Sequence, residues 1–527
     1  MTERLKPSFQ ADFFGPENYR PEQFSQEEKT LLGPFFSNTN RPVFLVSSLP
    51  TALISALIGR HSQSPDSMRR AFLDEFIRDS NGLRNCLEKG SLGAEQFLDI
   101  KAANDFLSKN FAQRGHDSLG ATASLAIGFE RVSQLGAKGI EDVRIGLSPI
   151  ERSTRYGFFG KKVNGRYSYA RPPNIMCSSY AGPYEEAIDN ALDLYVELQR
   201  PVSARLQDKY PQAGEWKVKQ MTFDITRVLL TAACFTNLGI MVNGEAAEHL
   251  VYKLKASSLP EHRELGRLIE GEVKKAVPGL MQRAEGKFGE SMVDYLGEKD
   301  KASFDLAQEY LEGIAPELPP KGVSLVAFDP QGEEKVISQI LYPGSNLSLP
   351  QILELVKEFS PEEKKRVIDA YVGQRPDRRA KVGRAFEEAG LSFQIVCRYA
   401  EWRDLQRNRI LTPQWRRLDF SLGYDIGEDL IEFGFESKVR EGLNRLAEAY
   451  EGVAKDYPEE AQYLMAFGAL MPYYITLNFR ELVHLVELRS GPGAHPSYAE
   501  IARQLGRKAI EAYPLFEPAI QHTNLKD

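Results

Sequence analysis

One short pattern occurs twice, and it constrains the fold more than any other feature of the chain. N-x5-H-L-V runs from Asn243 to His249-Leu250-Val251 and again from Asn478 to His484-Leu485-Val486. Ahead of each copy lies an amphipathic stretch, with Ile188, Ala191, Leu192, Tyr195 and Leu198 in the first and Leu443, Leu446, Tyr450 and Val453 in the second. Their spacing predicts one buried helical face in each case. Both stretches run into Tyr-Pro, at Tyr210-Pro211 and Tyr457-Pro458, where proline cannot continue the helical hydrogen-bond ladder. Further upstream, GFERVSQLGAKGIEDVRIGLSP ending at Pro149 answers QIVCRYAEWRDLQRNRILTP ending at Pro413. Matched elements in one order imply a duplication, so the chain must fold as two diverged copies of one unit.

The turn-rich stretch APELPPKG, from Ala315 to Gly322, interrupts the helical pattern and marks the joint. The expected organisation is an N-terminal arm at 1–40, a first domain at 41–315, a linker at 316–322 and a second domain at 323–520. The arm carries Phe9, Phe13, Phe14 and Tyr19, which predicts packing against the body. With 527 residues, 42% hydrophobic and 26% charged, there is material for two cores. A net charge of −7 offers no basic face for nucleic acid. The four cysteines lie far apart and the seven histidines show no H-x3-H spacing, so neither a disulfide framework nor a metal site is expected. The start, MTERLKPSFQ, has no apolar signal core, and no run approaches the roughly 18 apolar residues of a span. Cytoplasmic residence without membrane contact is the resulting expectation.

Two stretches carry candidate chemistry. In SPIERSTRYGFF, Glu151, Ser153 and Arg155 alternate, and period-two spacing puts them on one face of an extended segment. A carboxylate, a hydroxyl and a guanidinium aimed together could hold a phosphate and a sugar or base edge; the same triplet also suits the solvated face of a strand. In RDLQRNRILTPQWRR, Arg407 and Arg409 lie two apart, followed by Trp415, Arg416 and Arg417. Such guanidinium groups repel one another unless an anion lies among them, which fits a phosphate-bearing cofactor or a solvated basic surface. In TLNFRELVHLVELRSGPG, position alone leaves the roles of Asn478, Arg480, His484 and Arg489 open.

Taken together these motifs resemble the flavin-dependent thymidylate synthases, whose signature RHRxxSxNExSxRY follows a GHxSxxEH element and precedes ARxxLP, NxR and LxLR elements. The resemblance spans nearly the whole chain, once per half. It implies an α/β (α+β) class, each copy a mainly antiparallel sheet with packed helices. In the first half His116 and Ser118 match the GHxS element that contacts the flavin, while Ala121 stands where the element has glutamate. Glu151, Ser153, Arg155 and Tyr156 match the deoxyuridylate-binding end of the signature, and Arg227 matches the ARxxLP arginine, a nucleotide-phosphate ligand. Val143, Arg144 and Ile145 occupy the Arg-His-Arg positions, so this half lacks the flavin-side arginines.

Losses in the second half are the opposite ones. Arg407-Asn408-Arg409 keeps both arginines of the triplet, serving cofactor and, at Arg407, substrate, whereas Trp415, Arg417 and Asp419 displace the nucleotide ligands. Glu387 matches the missing glutamate, Asn478 and Arg480 match the flavin-binding NxR, and Arg489 matches the LxLR arginine that reaches the pyrimidine and would stabilise charge on its carbonyl. The resemblance implies methylation of dUMP to dTMP with methylenetetrahydrofolate as carbon donor, FAD as hydride carrier and NADPH as reductant. It implies one composite site from the two halves, no cysteine nucleophile, and a homodimer that reproduces the family's four-unit assembly as a pseudo-tetramer. A flavoenzyme acting on another pyrimidine nucleotide and a non-catalytic nucleotide-binding homologue stay open beside it.

Overall fold

The structure is a computed structural model describing residues 13–49, 57–58, 60–62, 64–77, 108–113, 117–491 and 493–525. Along the chain run β1 (Val43–Val46), β2 (Ser124–Ser133), α1 (Gln134–Glu141), β3 (Leu147–Glu151), α2 (Ala181–Lys209), α3 (Glu215–Thr226), β4 (Phe235–Asn243), α4 (Gly244–Ala256) and α5 (Pro260–Ala276). They are followed by β5 (Gly322–Phe328), β6 (Gly390–Arg398), α6 (Tyr399–Leu405), β7 (Thr412–Trp415), α7 (Glu436–Ala454), β8 (Leu470–Asn478), α8 (Phe479–Arg489) and α9 (Pro496–Ala512). The chain divides into two compact units, Met1–Ala315 with Ile426–Phe467, and Pro316–Asp425 with Gly468–Asp527.

In the first unit the sheet order is β1-β2-β4-β3, antiparallel throughout. The inner strand β4 reads FTNLGIMVN and is buried along almost its whole length, as a strand covered on both faces must be. Register slips between Phe129 and Val132 of β2, producing a bulge in which Arg131 takes a φ of 57°. At the end of β4, Asn243 leaves the sheet and caps α4, its side-chain oxygen accepting from the Ala246 N–H at 2.8 Å. The described part of the arm is packed down: Phe13, Phe14, Tyr19 and Phe24 are buried, and Asn18 exchanges hydrogen bonds with the Arg171 backbone at 2.7 and 3.1 Å.

Helix α2 buries Ile188, Ala191, Leu192, Tyr195 and Leu198, the predicted face, and ends at Tyr210. Its partner is α7, the corresponding helix of the second repeat, which belongs to this unit in space. Gly442 allows the close approach, since a Cβ there would stand 3.1 Å from a Leu194 methyl. Backbone bonds secure the same segment: Ala232 N–H to Met465 O at 2.8 Å and Phe467 N–H to Leu230 O at 2.7 Å. Beside them the Tyr463 hydroxyl donates to the fully buried Glu261 at 2.7 Å. Repeats along the sequence and compact units in space are therefore divided differently.

The second unit repeats the topology with order β5-β6-β8-β7, again antiparallel. In both units the fourth strand lies between the second and third, and in both an asparagine at its end caps the following helix; here Asn478 accepts from the Glu481 N–H at 2.9 Å. The fold is accordingly α/β (α+β), in two copies of one architecture. Among the described residues no helix is long and apolar enough to cross a membrane.

Candidate functional site

The sequence-predicted residues fall into two sets, one in each unit. In the first, Glu151 closes β3 opposite Leu238, and its buried carboxylate accepts from Lys138 Nζ at 2.9 Å. Lys138 also pairs with Glu141, so this cation holds two carboxylates. The extended segment expected to run through Arg155 stops at Glu151. Ser153 turns the chain instead: its hydroxyl accepts from the Arg155 N–H at 3.1 Å and its carbonyl from the Gly157 N–H at 3.0 Å. Serine hydroxyls compete in this way for backbone donors that a strand would otherwise use.

The turn sends Arg155 toward α3, where its Nε and Nη2 bind Asp224 at 2.8 and 3.0 Å. Arg227 sits at the end of the same helix, buried. Tyr156 stacks on Trp216 with ring centroids 5.8 Å apart. Spacing in the sequence does not single out Asp224, although it stands three residues before Arg227 in DITR. His116 lies outside the described residues, and Ser118 falls within the helix Asp117–Thr122.

In the second unit the Arg407-Asn408-Arg409 loop joins α6 to β7, and Arg489 ends α8. Asn408 is buried, with its side-chain amide donating to Leu405 O at 2.7 Å. Arg407 pairs with Asp404. The Arg489 guanidinium is held below the usual arginine range by burial first and then by the Arg407 charge. Its Nε makes no hydrogen bond, and the guanidinium carbon lies 6.0 Å from the Tyr498 ring centroid. Arg480 is engaged by Glu387 at 2.7 Å and by Val382 O at 2.9 Å, which brings two predicted cofactor residues into one ion pair. The Asn478 oxygen serves its helix, leaving the amide nitrogen to donate elsewhere. His484 is held below its ordinary range by burial and by Lys381, Arg378 and Arg489.

The two sets differ in character. The first holds Lys138 against Glu151 and Arg155 against Asp224 around a turn. The second holds Arg407 against Asp404 and Arg480 against Glu387, and sets Arg489 beside the like charge of Arg407, a repulsion that a bound anion would relieve.

A family model described as thymidylate synthase complementing protein matches the chain twice, over residues 79–279 and 325–515. The chain is 33% identical over 516 residues to a UPF0159 protein of Chlamydia muridarum, covering 96% of each. It is 31% identical over 520 residues to one of Chlamydia pneumoniae, again covering 96% of each. A UPF0159 protein of Thermoplasma acidophilum is 26% identical over 459 residues, covering 81% of this chain and 90% of that one.

Proposed function

This chain belongs to the thymidylate synthase complementing protein family, which it carries as two tandem copies, and from that premise we propose that it is a flavin-dependent thymidylate synthase methylating dUMP to dTMP. The supporting observation is the uneven retention of the motif residues: Glu151, Ser153, Arg155 and Arg227 in the first unit, and Arg407, Arg409, Asn478, Arg480 and Arg489 in the second. Neither set is complete alone, so turnover draws on both. His116, Ser118 and Glu387 complete the proposed cofactor set.

The second set fits an anionic ligand. Arg489 has a buried Nε without a hydrogen bond and a like-charged neighbour in Arg407, and a half-buried cation in that state gains from an added anion. When bound, FAD supplies the hydride, with methylenetetrahydrofolate as carbon donor and NADPH as reductant. Arg407 and Arg409 would hold phosphate, and the Asn478 amide would donate to the cofactor. Arg155, fixed in orientation by Asp224, would bind the nucleotide phosphate with Ser153 and Arg227. Arg489 would donate to a pyrimidine carbonyl as negative charge builds there, which is where an oriented donor lowers the barrier most.

The test is the visible spectrum of the purified protein after FAD is added and the excess removed, before and after dUMP. A retained flavin band that shifts with dUMP supports the reading, together with rescue of a thymidine-requiring bacterium. Asn408 at the histidine position supports a second reading, a flavoenzyme for another pyrimidine nucleotide; retained flavin without rescue would favour it. Homodimer formation in the cytoplasm belongs to the same proposal, and a monomeric mass in solution would remove that part.

A further inference from the structure

Behind the turn at Ser153 the first unit contains a cavity of 520 Å³, within the range that accommodates small organic ligands. Glu151, Ser153 and Arg155 do not line it; Arg152 does, because successive side chains leave the end of a strand on opposite sides. Arg131 enters from the β2 bulge and Arg20 from the N-terminal arm, with Lys161 on the loop after Phe159.

The charges in the wall are unequally satisfied. Glu130 binds Arg69 at 2.9 Å and accepts from the Ser67 hydroxyl at 2.9 Å, while Glu22 pairs with Arg70. Asp66 accepts from the Ser64 hydroxyl at 2.7 Å. Arg131 and Arg152, by contrast, have no carboxylate within ion-pair distance among the described residues. Arg131 Nε donates to Asn18 O at 2.8 Å, and its guanidinium lies 4.9 Å from the Phe235 ring centroid. Arg152 Nη2 donates to Phe158 O at 2.8 Å, its guanidinium lies 4.1 Å from the Phe159 centroid, and its Nε is buried without a partner.

The backbone at Arg131 is also unusual. A non-glycine residue at a φ of 57° costs about 1 kcal/mol or more, and bulges of this kind re-aim a side chain. Strain is thus spent on directing a guanidinium toward a cavity that already holds an unpaired one. Two cations on an aromatic wall, with Glu130 and Glu22 each held by another arginine and the Asp66 charge acting on Arg152 from beyond ion-pair distance, match a ligand bearing one compact oxyanion and one flat ring.

We propose that this cavity is a nucleoside-monophosphate site, with the phosphate bridging Arg131 and Arg152 and the base lying on the aromatic wall formed with Tyr156 and Phe158. Ring stacking tolerates any base, so the site accepts purine as well as pyrimidine nucleotides, unlike one built for a pyrimidine alone. It meets the synthase reading only at Tyr156, and needs neither Arg155 nor the flavin-side arginines.

Titration calorimetry of the full chain with adenosine 5′-monophosphate tests it. One saturable event per chain is expected, weakening with added salt, with adenosine and inorganic phosphate each binding at least about tenfold more weakly. Arg131→Gly, at a backbone conformation glycine adopts freely, and Arg152→Gln should each weaken it at least about tenfold; Arg267→Gln, on the exposed side of α5, should leave it unchanged. Absence of saturable binding, indifference to both cavity variants, or loss in Arg267→Gln would overturn the proposal. Failure of the synthase reading shows instead as absence of a retained flavin band, while adenosine monophosphate still binds.

Discussion

Arg155 and Asp224 lie edge to edge, with Nε 2.8 Å from Oδ1 and Nη2 3.0 Å from Oδ2. The pair is one-tenth exposed on each side, so its geometry is fixed by the protein more than by solvent. Removing one partner strands the other. Arg155→Ala should lower unfolding stability by about 3 kcal/mol in urea denaturation. The double variant Arg155→Met with Asp224→Leu should recover much of that loss, because no lone charge is left behind. Equal losses in the single and double variants would show that the pair is not coupled.

Glu261 makes stability depend on pH in the unusual direction. Burial raises its carboxyl pKa, and the hydrogen bonds from Ser133 and Tyr463 oppose that shift without cancelling it. With the folded value above the unfolded one, its contribution is complete below the ordinary glutamate range and is lost as pH rises through the folded value. Thermal midpoints measured from pH 4 to 8 should therefore fall more steeply with rising pH in the wild type than in Glu261→Gln. Parallel curves would remove Glu261 as the source.

Arg489 should report on the substrate directly. With FAD bound, dUMP at one hundred times its dissociation constant should raise the stability of the wild type by about 2.7 kcal/mol, seen as a higher melting temperature. In Arg489→Gln that gain should shrink at the same dUMP concentration, while the ligand-free protein melts no lower, because the substitution removes a half-buried guanidinium beside Arg407. An unchanged dUMP response would take Arg489 out of the proposed substrate set.

Glu487 anchors the end of the chain. It binds Arg375 in two-pronged fashion at 2.7 and 2.6 Å and accepts from the Gln521 N–H at 3.0 Å. With Arg375 at 6% exposure and Glu487 at 1%, Glu487→Ala should cost about 3 kcal/mol or more. Amide exchange should quicken at Gln521 and His522 before it quickens in β8; exchange that changes uniformly would argue against this anchor.

Repeats, helix faces and stops were open to reading in the sequence because they rest on local chemistry: Tyr-Pro ends a helix whatever surrounds it, and apolar spacing along Ile188–Leu198 or Leu443–Val453 has one efficient burial. Asn243 and Asn478 were visible as a repeated pair, yet their role as helix caps depends on the strand that delivers them. Ser153 misled the period-two reading, since a hydroxyl that captures the Arg155 N–H ends the strand before Gly157, the glycine of that turn, is reached. Arg131 was illegible for a different reason. Its direction follows from a register slip between β2 and β4, which is a property of two segments more than a hundred residues apart.

The packing of α7 on α2 has an evolutionary consequence. Once a duplicated gene lets the second copy's long helix complete the first copy's core, selection no longer acts on two interchangeable modules. A gene cut at the joint would yield an N-terminal product with the apolar side of α2 bare and a C-terminal product carrying a helix with nothing to cover. Fusion of this kind is a ratchet, because the first copy's core is complete only with the second copy's helix in place.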